Sequence, residues 1–150
     1  MYKAIVRSLI RKDVAALVAG DPGPAAARYA DDAVLRFPGQ NSWAMQHRDT
    51  PPSTEEFATH RGRAEIEAFL ARYTAEGMKM HVDDILVNGF PWHTRAAVRV
   101  THVAPDRTET RGVMFITSRW GKVVAQEDYE DTQAIAAREA GRTPSAAGGR

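Results

Sequence analysis

Apolar residues in the first part of the chain recur every three or four positions, the spacing that places them on one face of a helix. A first helix is predicted to end near Gly20, and its apolar face consists of Val6, Leu9, Ile10, Val14, Leu17 and Val18. A second, short helix is predicted over residues 25–30, because Asp21-Pro22-Gly23-Pro24 has the composition of a cap and first turn. A third helix is predicted to end at Gly77, and its apolar face consists of Ile66, Phe69, Leu70 and Tyr73.

The second half of the chain changes to the shorter period of β-strands, in which successive side chains point to opposite faces. Four strands are predicted, separated by turns that contain Gly or Pro, over residues 80–88, 94–103, 108–120 and 123–129. One short apolar strand over residues 33–38 precedes the third helix. Residues 40–59 show no period, and an irregular stretch of that length is often a lid or a binding loop.

This order of elements predicts an α+β fold, in which three N-terminal helices pack against a curved, mostly antiparallel sheet. Residues 113–116 are apolar on both faces of their strand, so we expect both sides of the sheet to be covered. The helices would cover one side, and a second subunit the other, through Met114, Ile116 and Trp120. The sequence therefore predicts a homodimer. The small, polar residues 141–150 predict a disordered tail.

The overall charge is balanced, with 20 basic and 19 acidic residues and a net charge of +1. No run of five like charges occurs, which argues against a nucleic-acid or membrane partner. The absence of cysteine excludes disulfides, thiolate nucleophiles and cysteine-ligated zinc. No apolar stretch approaches the ~20 residues of a spanning helix, and the first residues lack a secretory apolar run, so a cytoplasmic location is expected.

No metal and no cofactor are predicted. The five histidines lack the His-x-x-x-His spacing of a zinc-binding helix, and no acidic residue completes such a site. Gly112 and Gly121 are isolated, so the chain has no glycine-rich phosphate loop. The serines lack the Gly-x-Ser-x-Gly flanks of a nucleophile elbow.

Four short segments resemble a known family. They are residues 29–35 (Tyr-Ala-Asp-Asp-Ala-Val-Leu), Gly62-Arg63, residues 121–124 (Gly-Lys-Val-Val) and residues 128–131 (Asp-Tyr-Glu-Asp). With the order of elements, they are similar to the nuclear transport factor two superfamily, and most of all to its SnoaL-like branch of polyketide cyclases, ketosteroid isomerases and limonene epoxide hydrolases. The resemblance implies one cone-shaped α+β barrel over residues 1–140 with a central pocket. It does not fix the activity, because this cone hosts isomerases, cyclases, hydrolases, dehydratases and non-enzymes.

The resemblance also maps the family's site residues onto this chain. Phe37 falls where ketosteroid isomerases carry their general-base aspartate, which argues against a base on the first strand. Asp128 matches the acid in the last strand of the cyclases, and also the first Asp of the hydrolases' catalytic Asp-Arg-Asp group. The other two members of that group map to Ala97 and Arg99, so one carboxylate is missing, which argues against epoxide hydrolysis.

Asp128 is interpreted as a general acid/base at the floor of an apolar cavity, where desolvation raises the pKa of a carboxyl group toward neutrality; a paired or solvated carboxylate at a strand end is the alternative. Arg99 is interpreted as its partner or as a donor to a ligand oxyanion, and an exposed or structural ion pair is the alternative. The residues predicted to line the pocket are Phe37, Trp43, Tyr73, His81, Trp92 and Phe115. Ordinary core packing is the alternative for the aromatic residues among them.

Two functions fit these residues. The first is a cofactor-free cyclase or isomerase that acts on a hydrophobic carbonyl compound, with Asp128 moving a proton and Arg99 or a histidine stabilising the oxyanion. The second is a non-catalytic ligand-binding or accessory dimer, which the loss of the first-strand base and of the second hydrolase carboxylate favours. The expected ligand is a hydrophobic small molecule.

Overall fold

The computed structural model of the protein describes residues 1–38, 57–105, 107 and 109–133. Trp43, most of the predicted loop over residues 40–59 and the predicted tail over residues 141–150 lie outside the described residues. Within the described ranges, no helix is both long enough and apolar enough to cross a bilayer.

The described part of the chain forms one sheet with helices on one side. The helices are α1 (Tyr2–Val18), α2 (Gly23–Ala26) and α3 (Arg63–Ala75), and the strands are β1 (Tyr29–Pro38), β2 (Phe57–Arg61), β3 (Lys79–Phe90), β4 (His93–Val103), β5 (Glu109–Arg119) and β6 (Lys122–Glu130). The strand order is β2-β1-β6-β5-β4-β3. Neighbouring strands are antiparallel except β1 and β6, which are parallel. The predicted α+β fold with a curved, mostly antiparallel sheet is confirmed.

Two segments near the middle of the chain differ from the prediction. β2 lies partly inside the stretch predicted to be irregular, and its polar residues 59–61 lack the apolar alternation that marks a strand. β1 begins at Tyr29, and the short helix accordingly ends at Ala26. The polar pair Asp31-Asp32 concealed the first half of β1, and the pairing with β6 is irregular between Tyr29 and Val34.

The face of the sheet that the helices cover holds the core. On β4 this face consists of the buried residues Thr94, Ala96, Val98, Val100 and His102. Their partners on β5 include Met114 and Ile116, which therefore face the same side. The prediction that these two residues lie on the outer face is wrong, because the continuous apolar run over residues 113–116 contains no alternation from which a face can be chosen.

A bulge in β3 changes which of its side chains face the core. Asp83 is an extra residue that is opposite no residue of β4 in the strand register, where the pairing shifts by one position. Met80 is buried before the bulge, and Ile85 and Val87 are buried after it. The inward positions thus change from even to odd numbers within one strand, which explains why the sequence alternates only weakly here.

Gly89 and Gly20 both have a left-handed backbone conformation, but only Gly89 is also closely packed against a neighbouring strand. Gly89 has φ of +100°, and a Cβ there would lie 2.2 Å from the carbonyl oxygen of His93. Gly20 has φ of +94° and no atom within 4 Å of a Cβ. We expect Gly89→Ala to lower the free energy of unfolding by roughly 3 kcal/mol or more and Gly20→Ala by about 1 kcal/mol. Urea unfolding measures both, and equal losses would contradict the close approach at Gly89.

Candidate functional site

A cavity of about 220 Å³ lies between α1, α3 and the inner face of the sheet. Its apolar lining includes Val6, Ile10, Leu35, Phe69, Met114 and Ile116. The volume is below the roughly 300–1,000 Å³ of sites for drug-sized ligands, so the cavity suits a small apolar molecule.

β6 brings the polar side chains to this cavity. Gln126, Asp128 and Glu130 all line it, since residues two apart on a strand face the same side. Val124 is an extra residue where the pairing of β6 with β5 shifts, and this bulge turns Val123 toward the cavity as well. The strand therefore presents an apolar wall at its start and a polar row at its end.

Asp128 is held by a short chain of hydrogen bonds. The side-chain amide of Gln126 donates from Nε2 to Oδ1 and Oδ2 of Asp128, at 2.9 Å and 3.2 Å. The Tyr29 hydroxyl donates to Oε1 of Gln126 at 2.6 Å. Because Tyr29 occupies the amide oxygen, the amide nitrogen must point at the carboxylate. Both supporting residues are buried.

The surroundings of Asp128 in this hydrogen-bonded group favour a carboxyl that titrates near neutral pH. Burial raises the pKa of Asp128 to about 7; the Gln126 hydrogen bond acts in the opposite direction, and the charge of Glu130 adds to the rise. Burial, and then the charge of Asp128, raise the pKa of Tyr29 above its ordinary value. Asp128 is thus present in both protonation states at neutral pH, while Tyr29 stays protonated and continues to donate.

A second cluster lines the same cavity. Nδ1 of His102 lies 3.1 Å from the Tyr73 hydroxyl, and its Nε2 lies 3.5 Å from Oε1 of Glu130. Burial lowers the pKa of His102, although the charge of Glu130 opposes this, so the imidazole is neutral at pH 7. A neutral imidazole has one N–H; with that N–H directed at the Glu130 carboxylate, Nδ1 accepts from Tyr73. Burial and the charges of Glu130 and Asp128 raise the pKa of Tyr73.

Gly112 makes this second cluster possible. It lies on β5 between the strands that carry His102 and Glu130, and it is paired with Glu130 in the β5–β6 register. A Cβ at Gly112 would lie 3.6 Å from Nε2 of His102 and only 2.7 Å from the carbonyl oxygen of Tyr129. The missing side chain therefore lets an imidazole and a carboxylate meet across the intervening strand.

A third polar pair lies where α1 meets the segment after α2. Nε of Arg28 donates to Oδ2 of Asp13 at 2.8 Å, and both residues line the cavity. Oδ1 of Asp13 is buried and accepts no hydrogen bond within the described part of the chain. The described residues contain no cluster of three metal-ligating side chains.

The structure brings together only part of the predicted site. Asp128, Phe37 and Tyr73 lie in the cavity wall. The placement of four other residues in the pocket is wrong; these are Arg99, His81, Trp92 and Phe115, all of them exposed. Trp43 lies outside the described residues.

The misplaced residues share a physical cause, which is the two-sided nature of a strand. Arg99 alternates with the buried Val98 and Val100, so it faces outward. Phe115 and His81 likewise alternate with buried neighbours, Met114 and Met80. Trp92 belongs to the turn between β3 and β4 and is 54% exposed.

Four functional residues were missed by sequence reasoning: Tyr29, Gln126, His102 and Glu130. A usable signal existed for three of them. His102 shares a strand face with Ala96, Val98 and Val100, and an apolar face marks the interior. Gln126 and Glu130 are each two positions from Asp128 on one strand. Tyr29 depends on the parallel pairing of β1 with β6, which no local pattern reveals.

Comparisons with known proteins agree with this fold. Residues 10–126 match the family model described as a SnoaL-like domain. A nuclear-transport-factor-two-like protein of unknown function from Mesorhizobium loti is 20% identical, with a TM-score of 0.62 over 83% of this chain and 89% of that one. A protein described as a candidate ketosteroid isomerase from Kribbella flavida is 27% identical, with a TM-score of 0.58 over 83% of this chain and 76% of that one. No curated protein matches the sequence.

The raised pKa of Asp128 makes the stability of the fold depend on pH. Between pH 4 and pH 7 the unfolded chain releases the Asp128 proton while the folded chain retains it, so this residue lowers the free energy of unfolding as pH rises. Asp128→Asn stays neutral throughout, and we expect its stability relative to the unmodified protein to increase across this range by up to about 4 kcal/mol. Urea unfolding at several pH values measures the difference.

Glu127→Gln is the matched control, because Glu127 lies one position away on the outer face with its side chain 44% exposed. Its stability difference from the unmodified protein should not follow the pH trend of Asp128→Asn. A difference for Asp128→Asn that stays constant with pH would contradict the buried, protonated carboxyl.

Proposed function

The chain belongs to the SnoaL-like domain family, and on that premise we propose that it is a small-molecule-binding protein whose cavity carries out cofactor-free acid/base chemistry. Its substrate class is a hydrophobic carbonyl compound, and its reaction is of the isomerase or cyclase type. One observation carries the proposal: a carboxyl group with a pKa of about 7 in the wall of an apolar cavity.

Asp128 performs the proton step. As a carboxylate it removes a proton from the carbon next to the carbonyl group; the C–H electron pair forms the C=C bond of an enolate, and the C=O π pair moves to oxygen. In an isomerase, protonated Asp128 returns the proton to another carbon of the conjugated enolate. In a cyclase, the enolate carbon attacks a second carbonyl carbon, and the proton goes to the resulting alkoxide. Either route regenerates the carboxylate.

The apolar surroundings strengthen Asp128 as a base. A pKa of about 7, against the ordinary value of 3.8, corresponds to a proton affinity roughly a thousandfold higher. Gln126 keeps the carboxylate oriented while it is ionised, because its amide donates to both oxygens. Burial and orientation thus act together on one group.

In this proposal the hydrogen-bond donor to the oxyanion is Tyr73, in place of the predicted Arg99 or histidine. Its raised pKa keeps the hydroxyl protonated, and the charge of Asp128 contributes to that rise, so the two groups share one electrostatic environment. A ligand oxygen competes for the Tyr73 proton with Nδ1 of His102 and with the Lys79 carbonyl, which lies 3.4 Å from the hydroxyl. Preoriented donors of this kind stabilise the developing negative charge on an enolate oxygen.

A specific observation favours non-catalytic binding as the second candidate. Arg36 is paired with Glu127 in the parallel β1–β6 register, so Phe37 is the β1 residue beside Asp128. An apolar ring there leaves Asp128 without a neighbouring base on β1. A cavity whose lining is mostly apolar can bind an uncharged ligand without converting it.

Hydrogen–deuterium exchange at the carbon next to a carbonyl group tests the proposed chemistry without knowledge of the natural substrate. We expect the protein to catalyse this exchange for some member of a panel of small hydrophobic ketones in D2O, followed by NMR. The rate should rise with pH through a midpoint near 7, because the carboxylate is the active form. Asp128→Asn should lower it by about 100-fold or more, and Tyr73→Phe by roughly 10-fold or more.

Arg99→Gln is the control for this experiment, since Arg99 is exposed on the outer face and should leave the rate unchanged. Exchange that survives undiminished in Asp128→Asn would overturn the proposed role of Asp128. Ligand binding without exchange across the panel would favour the non-catalytic alternative.

The outer face of the sheet supports a homodimer, which we also propose. Leu86, Phe115 and Tyr129 are exposed there, by 65%, 51% and 42%. Leu86 pairs with Ala97 and Ala97 with Phe115, so these side chains form a row across three strands. The rings of Phe115 and Tyr129 lie 5.9 Å apart. A second copy that covers this row would remove it from water.

A charge in the centre of this row should separate the subunits. We expect Phe115→Asp to be a monomer and the unmodified protein a dimer at micromolar concentration, by light scattering, because an unpaired carboxylate in an apolar interface is costly. Ser8→Asp, on an exposed position of α1, is the control and should stay dimeric. A monomeric unmodified protein would rule out the interface.

A further inference from the structure

Three aromatic side chains, which we call the aromatic tip, gather at one end of the sheet. Phe90 and Trp92, on either side of Pro91, stack with ring centres 5.0 Å apart and 8° between planes. Trp120, in the β5–β6 turn, lies 6.3 Å from Trp92. The three are 61%, 54% and 76% exposed. The backbone N–H of Trp120 donates to the Pro91 carbonyl at 2.7 Å, so the two turns that carry the tip are joined.

The backbone at Trp120 is unfavourable for a bulky residue. Trp120 and Gly121 form the two-residue turn between β5 and β6, with φ of +50° and +79°. Such turns favour Asn-Gly, since a side chain with a branched or large Cβ substituent is strained at positive φ. A strained residue whose side chain points into solvent adds little to the core. An exposed ring at a strained backbone position points to a role outside the core.

The same end of the molecule is strongly basic. Hydrogen bonds join the start of α1 to the first of the two hairpins: the Tyr2 hydroxyl lies 2.5 Å from Oγ1 of Thr94, which donates to the Phe90 carbonyl at 2.7 Å. The segments that meet here, residues 1–7, 86–96 and 116–125, contain no Asp or Glu. Their basic residues are Lys3, Arg7, Arg95, Arg119 and Lys122. Arg7 donates to the Ile85 carbonyl and Lys122 to the Ala27 carbonyl, and both side chains keep their positive charge. The balanced charge of the whole chain therefore conceals a local excess.

The cavity opens at this end. Tyr2, Ile5, Ser118 and Gly121 belong to its lining, and they lie in the first turns of α1 and in the β5–β6 hairpin. Ile5 both lines the cavity and is 49% exposed, so the cavity reaches the surface beside it. The aromatic tip, the basic residues and the cavity opening thus share one end of the protein.

We propose that this end docks on the surface of an anionic lipid bilayer, with the aromatic tip in the interfacial layer and the basic residues facing lipid phosphates. Tryptophan is enriched at membrane–water interfaces because its ring is apolar and its N–H is polar. Each Lys or Arg near an anionic membrane strengthens binding by roughly fivefold. The expectation of no membrane partner came from the net charge, which does not describe this surface.

A lipid surface fits these features better than a nucleic acid does. The rings of Phe90 and Trp92 stack on each other, so neither offers two free faces to bases, and the tip projects from two turns instead of lining a groove. A hydrophobic ligand would pass from the bilayer into the adjacent cavity. That last step rests on the proposed function, whereas the docking itself does not.

Co-sedimentation with vesicles of phosphatidylcholine, with and without phosphatidylglycerol, tests the docking. We expect binding at least tenfold stronger to the anionic vesicles, and its loss at high salt, because the basic residues supply a screened attraction. In a Trp43→Phe background the emission of Trp92 and Trp120 should shift to the blue on binding. Trp92→Ser combined with Trp120→Ser should weaken binding tenfold or more.

Two double substitutions of basic residues test the role of charge while the aromatic residues stay in place, and the second of them is the control. Arg119→Gln with Lys122→Gln should weaken binding to anionic vesicles tenfold or more, whereas Lys79→Gln with Arg111→Gln, at the opposite end of the sheet, should not change it. Asp128→Asn should bind vesicles like the unmodified protein, so a failure of docking is distinguishable from a failure of the proposed chemistry.

Three results would overturn the proposal. The first is no binding to either kind of vesicle, and the second is an equal loss in the two double substitutions of basic residues. The third is tighter binding to a single-stranded DNA oligonucleotide than to anionic vesicles, with release of the protein from the vesicles when the oligonucleotide is added. The protein could also fail to bind vesicles and form a dimer that dissociates when Trp92 and Trp120 are replaced. That result would make the aromatic tip an interface with a second copy of the chain.

Discussion

The proposed chemistry depends on one carboxyl group, that of Asp128, which the fold holds in the wall of a largely apolar cavity. Asp128 is tolerated there because Gln126 donates to both of its oxygens and because the group is partly neutral near pH 7. Gln126 is oriented in turn by Tyr29, which reaches it only because β1 lies parallel beside β6. The reactive group, its support and the sheet topology are therefore one arrangement, and the proposed proton transfer follows from it.

Sequence periodicity was sufficient for most of the fold. The amphipathic face of α1, the helix that ends before Gly77 and four strands of the meander were all predicted within a few residues of their observed bounds. The inward face of each strand was harder to predict, because a shift of one residue exchanges the two faces. The bulges at Asp83 and Val124 cause such shifts, and they depend on pairing with β4 and β5 rather than on local sequence.

The candidate site was predictable only where a residue type carried the information. Asp128 was found because an acid in the last strand has a clear chemical role, whereas Gln126 and Glu130 needed the strand alternation and Tyr29 needed the sheet order. The position of charged residues in the folded protein was also not predictable from the net charge. A net charge of +1 describes the whole chain, yet the fold brings basic residues from three distant segments to one end. Properties that arise from folding, such as a local field, cannot be read from totals.

The position of β6 has a consequence for synthesis on the ribosome. It is the last strand of the residues that the structure describes, but it lies between β1 and β5 within the sheet. Until residues 122–130 leave the exit tunnel, the edges of β1 and β5 are both unpaired, and neither the cavity nor its acid exists. A nascent chain of this protein thus carries two open strand edges until β6 has been made, and open edges of this kind are prone to pair with other chains.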